Sequence, residues 1–206
     1  MRELVHLTPA DALRLPWKNG RGVSDELAIW PRGAQFEKGN FEWRISKAVI
    51  NEPVAFSSFP GIDRVIVVTG GQYVTLSHSD SAPRTRVKRL EPYAFQGEWA
   101  TSARLPKGPV SDFSVMSRRG AARADVLVPK FKDGRARATL LAGDAFLHVV
   151  AGSVAAQVTG EQAPAAGAAG ESLWFRAVNH DDELLLTTGG DECVVLLVRI
   201  GPAEIL

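Results

Sequence analysis

By residue type and spacing, Arg44 in "FEWRISKAV" and Arg64 in "GIDRVIVV" are the strongest candidates for chemistry in this chain. Side chains alternate across a strand. Arg44 therefore shares a face with Ser46 and Ala48, while Phe41, Trp43 and Ile45 take the other face, which suits a core. Arg64 shares its face with Ile62, Ile66 and Val68, so of the two it is the less suited to a solvated surface. A guanidinium turned inward is costly unless an anion meets it. Its partner is either internal, with Asp112 and Glu42 as candidates, or a carboxylate or phosphate ligand gripped by paired N–H donors. Asp112, in "VSDFSVM", suits an ion-pair partner or a general base, although an isolated Asp before a strand is usually a turn residue.

A second group precedes them. "PWKNGRGVSDELAIW" sets Trp17, Lys18 and Asn19 on a turn with Gly20 and Gly22, ahead of an alternating apolar run. On one reading the loop closes over the open end of a barrel, with Trp17 as an apolar wall and Asn19 pairing with an amide or formyl group. On the other, Trp17 packs on the barrel and Asn19 takes a left-handed turn. "FSSFPGIDR" adds Phe56, Phe59 and the turn pair Pro60–Gly61 just before Arg64.

The elements that must position these residues read as strands. "TPADALRL" carries a helix start, with Thr8 as cap and Pro9 in the first turn, so a short N-terminal helix ending before Pro16 is expected. After it, short β-branched and aromatic runs recur between Gly, Pro, Asn and Asp, as at 23–30, 41–50, 64–69, 110–117, 146–151 and 194–200. Many short strands with turns between them mean a sandwich or barrel. "EQAPAAGAAGES" (161–172) is low-complexity and reads as a mobile hairpin loop. "DRVIVVTGGQYV" and "DAFLHVVAGSVA" align at an offset of 81, as do Gly108 with Gly189, Arg118 with Arg199 and Gly120 with Gly201. A constant offset suggests a duplication. The order of strand, Gly turn, strand, long loop, short aromatic strand and long strand resembles the cupin barrel. The expected fold is all-β: tandem cupin-like barrels (a bicupin) with a short N-terminal helix, residues 1–120 carrying the site and 121–206 the second half, the two halves intimate.

Cupins commonly hold a metal through an HxH pair, a Glu and a Gly seven positions after it. Anchored on Gly71, the Glu position falls on Arg64 and the HxH positions on Ser58 and Pro60, or Ser57 and Phe59; anchored on Gly152, the Glu position is Ala145. The four histidines do not pair at ligand spacing, and "NHDDE" (179–183) reads as a polar turn. No metal and no cofactor are expected. Lys plus Arg is 24 and Asp plus Glu 23, which argues against nucleic acid or a membrane surface held by bulk charge. The basic "RTRVKR" (84–89) reads as a solvated strand face. The one cysteine, Cys193, lies in an apolar run and reads as a core residue. With no secretory h-region and no membrane-length apolar stretch, a cytoplasmic protein is expected.

Four stretches, "PWKNGRGVSDELAIWP", "FEWRISKAVI", "FSSFPGIDRVIVV" and "GPVSDFSVMSRRG", together resemble the HutD/Ves family. The resemblance is strong over roughly residues 15 to 120 and general beyond. It implies a double cupin-like fold, a link in some bacteria to histidine utilisation, and a role in binding a formylated glutamate-type intermediate, with no established catalysis. The matching positions are Trp17, Lys18, Asn19, Gly20, Gly22 and Glu26; Arg44 and Ser46; Phe56, Ser57, Phe59, Pro60, Gly61 and Arg64; and Asp112 and Phe113. Arg21 stands where the family pattern has the middle of three glycines, Ser24 where Thr is usual, and Ser114 where Asn is usual.

The expectation is a metal-free binding protein for a small anionic, carboxylate-bearing metabolite such as formylglutamate. Its site would be made by Trp17, Lys18, Asn19, Arg44, Ser46, Phe59, Arg64 and Asp112. The alternatives are a metal-independent hydrolase or isomerase with Asp112 or Glu26 as base, and an interaction protein with a filled barrel. A homodimer is left open. The repeat aligns Arg64 with Ala145, Asp112 with Cys193 and Phe113 with Val194, so the second half is expected to be the drier, better-filled barrel.

Overall fold

The computed structural model describes residues 2–17, 20–78, 84–190 and 192–203. The strands of the first part of the chain are β1 (Glu3–Leu7), β2 (Leu13–Pro16), β3 (Val23–Trp30), β4 (Trp43–Ile50), β5 (Val54–Ala55), β6 (Ile62–Gly70), β7 (Tyr73–His78), β8 (Thr85–Lys88), β9 (Tyr93–Gln96), β10 (Thr101–Arg104) and β11 (Val110–Arg118). The rest supplies β12 (Ala122–Leu127), β13 (Arg135–Thr139), β14 (Gly143–Ala151), β15 (Ser153–Val158), β16 (Ala165–Ala168), β17 (Ser172–Val178), β18 (Glu183–Thr187) and β19 (Val194–Pro202).

The chain divides into two compact units, Ala12–Arg123, and Met1–Asp11 with Ala124–Leu206. This differs from a division at 120/121 in placing residues 121–123 with the first unit and the first eleven residues with the other: β1 pairs antiparallel with β17, Glu3 opposite Arg176 and Leu7 opposite Ser172. In the unit 12–123, a six-stranded sheet ordered β2-β3-β4-β11-β6-β9 faces a four-stranded sheet β5-β10-β7-β8. Ile50, Val54, Ile66, Val68, Val74, Leu76, Val87 and Val110 fill one end of its interior. The other unit has the five-stranded sheet β1-β17-β14-β19-β12 and the four-stranded sheet β13-β18-β15-β16. The duplication is visible in these orders: β4-β11-β6-β9 answers β12-β19-β14-β17, and β5-β10-β7-β8 answers β13-β18-β15-β16.

The glycines that marked the repeat sit at equivalent tight turns. Gly71 has φ +80° and a Cβ there would lie 2.6 Å from the Pro109 carbonyl oxygen; Gly152 has φ +74° and its Cβ would lie 2.5 Å from that of Glu192. Only glycine takes that conformation at that distance without a clash.

The single offset holds for the leading strand but slips in the last. Asp63 faces Ser117 and Asp144 faces Ile200, so the leading strands differ by 144 − 63 = 81 and the closing strands by 200 − 117 = 83. Asp112, opposite Val68, therefore answers to Val195, opposite Val149, and not to Cys193. Phe113 answers to Leu196, not Val194. A register is fixed by which face is buried, and residues matched by identity alone miss a two-residue shift.

Three local expectations are corrected. The N-terminal helix is a single 3-10 turn, Pro9–Asp11. Asp11 turns its carboxylate back onto the Thr8 N–H (2.8 Å) and Oγ (2.7 Å), which closes the turn, and Leu13–Pro16 is extended against β3. The segment 161–172 is not all loop, because Ala165–Ala168 is β16, paired with β15. Gly167 lies in that strand with the Val149 and Leu173 side chains beneath it. Phe41 precedes β4 and packs with Phe36, Phe59 and Met116. "NHDDE" is a turn, as read, with the Asn179 N–H donating to Asp182 (2.8 Å).

Candidate functional site

Register puts the polar candidates in one block of the six-stranded sheet. Arg44 and Arg64 both lie opposite Met116. On the next rung, Glu26, Ser46, Ser114 and Ile66 are successive cross-strand neighbours. On the rung after that come Ser24, Ala48, Asp112 and Val68. Alternation turns this whole block to the interior of the unit. At Asp112 the β11–β6 register shifts between Ser111 and Asp112. Such a bulge re-aims a side chain, and here it coincides with the carboxylate of the site.

Trp17, Arg44, Ser46, Phe59, Arg64 and Asp112 line one cavity in this unit. Lys18 and Asn19 lie outside the described residues. The cavity also takes residues outside the expected site: Phe56 and Ser57, which matched the family, and Ser24, Phe36, Ser114 and Met116. Ser24, Ser114 and Met116 follow from alternation once the facing strands are known. Phe36 sits in the 31–42 connection and carried no sequence signal. That connection is clamped by Arg118, whose Nε donates to the Phe41 carbonyl (2.9 Å) and whose Nη2 donates to that of Gly39.

Glu26, matched to the family but not placed in the site, is the internal partner of Arg44. Arg44 Nε donates to Glu26 Oε2 at 2.6 Å and its Nη1 to Ser46 Oγ at 3.1 Å. Arg44 is 3% exposed and Glu26 8%, and the guanidinium lies 4.0 Å from the centre of the Phe36 ring. Arg44 is thus deeply buried. Arg64, expected to be the less exposed of the two, is partly open as a residue although its Nε is buried. Its guanidinium lies among the rings of Phe56 (5.0 Å), Phe95 (5.0 Å) and Phe59 (5.6 Å). Glu42, the other candidate partner, does not line the cavity; its N–H donates to the Trp30 carbonyl and its carbonyl accepts from the Arg118 N–H, both at 2.7 Å.

Two donors are left over. Arg44 Nη2 and Arg64 Nε are buried with no hydrogen-bond partner. An unmet buried donor costs about 1–3 kcal/mol, more when charged. Burial pushes Arg64 down to about 10, with Asp112 pulling it back up and Arg44 pushing it further down. Burial pushes Asp112 up to about 7, against the pull of Arg64 and of its own backbone N–H. Arg44 is lowered by burial and supported by Glu26.

Trp17 forms the wall between this cavity and an outer groove, and with Ala48 and Asp112 it lines both. Its indole N–H donates to Ser24 Oγ at 2.9 Å. Its backbone N–H donates to the Gly22 carbonyl and its own carbonyl accepts from Gly20, both at 2.9 Å. A Cβ at Gly22 would lie 2.7 Å from the indole ring, which explains why the turn needs glycine there.

The donor set does not fit the metal of the fold family. Arg64 occupies the position of the Glu ligand, and among the described residues no three His, Cys, Asp or Glu side chains gather. His78 spans Thr101 Oγ1 and the Tyr93 hydroxyl, both at 2.9 Å, and His148 bonds Ser172 Oγ at 2.8 Å. In the other unit the equivalents of Arg64, Asp112 and Ser114 are Ala145, Val195 and Leu197, all fully buried in an apolar cluster. Cys193 is partly buried against that cluster. No helix among the described residues is long and apolar enough to cross a membrane.

A protein called Ves from Escherichia fergusonii is 35% identical over 113 residues, 54% of this chain and 56% of that protein, so the match spans little more than half of that relative. A conserved Pseudomonas aeruginosa protein of unknown function has a TM-score of 0.83 at 26% identity, covering 98% of this chain and all of that one. HutD from Pseudomonas fluorescens SBW25, in a formate condition, has a TM-score of 0.75 at 27% identity with the same coverage. YhhW from Escherichia coli, with 12% identity and a TM-score of 0.64, shares the fold alone; the all-β, tandem cupin-like architecture expected from the strand order is the one observed. The HutD family model matches residues 9–195, and this chain belongs to the HutD family.

Proposed function

We propose that this protein is a cytoplasmic, metal-free binding protein whose cavity takes a small carboxylate-bearing metabolite such as formylglutamate, with a regulatory role in histidine utilisation. The observation that carries the reading is the pair of unmet guanidinium donors, Arg44 Nη2 and Arg64 Nε, on side chains lining one cavity. A carboxylate accepts two N–H donors at once and is held far more strongly away from water than in it. The aromatic surround of Phe36, Phe56 and Phe59 supplies the apolar lining usual in small-molecule sites. The membership of the HutD family supports the pathway. Calorimetry with formylglutamate, formiminoglutamate, glutamate and urocanate tests it. One of them binds the wild type, and Arg64→Ala abolishes that heat while the protein stays folded. Silence from all four at millimolar concentration sinks the reading.

One observation favours a second reading, a metal-independent hydrolase or isomerase. A buried carboxyl raised to about 7 is suited to general-base work near neutral pH. On this reading the cavity turns over the anion it binds and Asp112→Asn loses turnover but keeps binding. Recovery of every candidate unchanged after long incubation with the protein removes it.

A further inference from the structure

Four charged groups gather at the cavity as two pairs of opposite sign. Arg44, which lines the cavity, is bonded to Glu26 at 2.6 Å, so its charge is already met. Among the described residues Arg64 has Asp112 as its counter-charge, across neighbouring strands β6 and β11, with no hydrogen bond between them. We propose that the cavity accommodates one further negative charge at a time, so that an entering carboxylate takes over the counter-charge of Arg64 from Asp112, and Asp112 takes up a proton as the ligand binds. This rests on the carboxylate-binding reading above and adds a proton to it.

Two anions beside one guanidinium in a largely buried, aromatic-lined cavity repel each other, and the cheaper course is for one carboxyl to accept a proton. Asp112 is the one able to do so. It is 6% exposed, lies where β6 carries an extra residue opposite β11, and already holds its proton up to about pH 7 without a ligand. The ligand's own carboxylate ionises near pH 4 in water and arrives charged. Once protonated, Asp112 becomes a hydrogen-bond donor at the cavity wall.

Apart from Arg64, the charged groups described around Asp112 each have an opposite charge beside them. Arg44 from β4, which lines the cavity, is paired with Glu26 from β3. In the groove beyond Trp17, Arg21 is bonded to Glu52 at 2.8 Å. Asp25 there lies between Arg14 and Lys47 in register. Among these groups Arg64 alone changes its partner when the cavity fills.

The sign follows. Below pH 7 Asp112 is already protonated and affinity is flat. Above it, each bound anion must bring in a proton and affinity falls about tenfold per pH unit. Calorimetry of the intact wild type with N-formyl-L-glutamate at pH 6.0 and 8.5, each in two buffers of different ionisation heat, reads both quantities. The expected result is affinity roughly thirtyfold weaker at pH 8.5, with close to one proton taken up there and close to none at pH 6.0. Asp112→Asn abolishes both the proton uptake and the pH dependence. Binding with the same affinity at both pH values and no proton uptake overturns the coupling and leaves the binding reading standing. A pH dependence that survives in Asp112→Asn assigns the proton elsewhere and also overturns it. No heat at either pH overturns the binding reading and the coupling with it.

Discussion

Asp112 carries a consequence at the residue scale that needs no ligand. Its carboxyl is raised from 3.8 to about 7, first by burial, so between those values the native state holds a proton that the unfolded chain has lost. Stability from this group is fully present below about pH 3.8, declines as pH rises, and is gone above about pH 7. Chemical denaturation of the wild type should therefore show a loss on the order of 1–2 kcal/mol between pH 5.5 and 8.5 from this group. Asp112→Asn, which keeps the shape without the titration, should flatten that difference. An equal slope in both proteins would mean that the carboxyl is solvated and titrates normally. The same residue also marks where reading by sequence stopped. Alternation along "FEWRISKAV" placed Arg44 and Ser46 on one face, and that is where they are, 3% and 5% exposed. The choice of Glu26 as the partner of Arg44 depended on β3 lying beside β4 with Glu26 opposite Ser46, a pairing between segments that no local pattern specifies.

At the scale of elements, the turn that joins β2 to β3 explains why Trp17 is held at the cavity wall. The backbone closes at Trp17 N–H to Gly22 O, and the indole ring lies flat enough on Gly22 that a Cβ would sit 2.7 Å from it. A contact under 3 Å forces the ring to move. Gly22→Ala should therefore displace Trp17 from the wall and from its bond to Ser24 Oγ, weakening ligand affinity about tenfold, or roughly 1.4 kcal/mol, with little change in thermal stability because the turn is at the surface. Unchanged affinity in Gly22→Ala would separate Trp17 from binding. Elements with strong β-branched runs were legible: β3 spans Val23–Trp30 as read, and β11 runs Val110–Arg118. The elements that escaped reading were held by partners rather than by their own composition. Ala165–Ala168 is a strand because β15 offers it an edge, and Glu3–Leu7 because β17 does. Alanine and glycine show no strand preference of their own, and "TPADALRL" has a helix start that a single Asp11 side chain satisfies after one turn.

At the scale of the whole molecule, the duplicated design carries its polar chemistry in one copy. Equivalent register positions hold Arg64, Asp112 and Ser114 in the unit 12–123, and Ala145, Val195 and Leu197 in the other. The second set lies in a cluster with Leu147, Val149, Leu173, Leu184 and Leu186, every one of them 1% exposed or less. A packed apolar interior answers to truncation by cavity formation: Leu→Ala in such a place costs about 2–5 kcal/mol, whereas a partly buried cysteine at its margin costs on the order of 1 kcal/mol. Leu147→Ala should accordingly lower stability by several kilocalories per mole and leave the affinity for the anion unchanged wherever the protein remains folded. Cys193→Ala should do the same to a smaller degree. Arg64→Ala should show the reverse, because removing a guanidinium that lacks a hydrogen-bond partner at Nε relieves a buried charge while taking away the group that receives the ligand. Unfolding curves and titrations on the three variants side by side separate the two roles. If Leu147→Ala abolishes binding while folded, or Arg64→Ala leaves it intact, the division of labour between a binding copy and a scaffold copy is wrong.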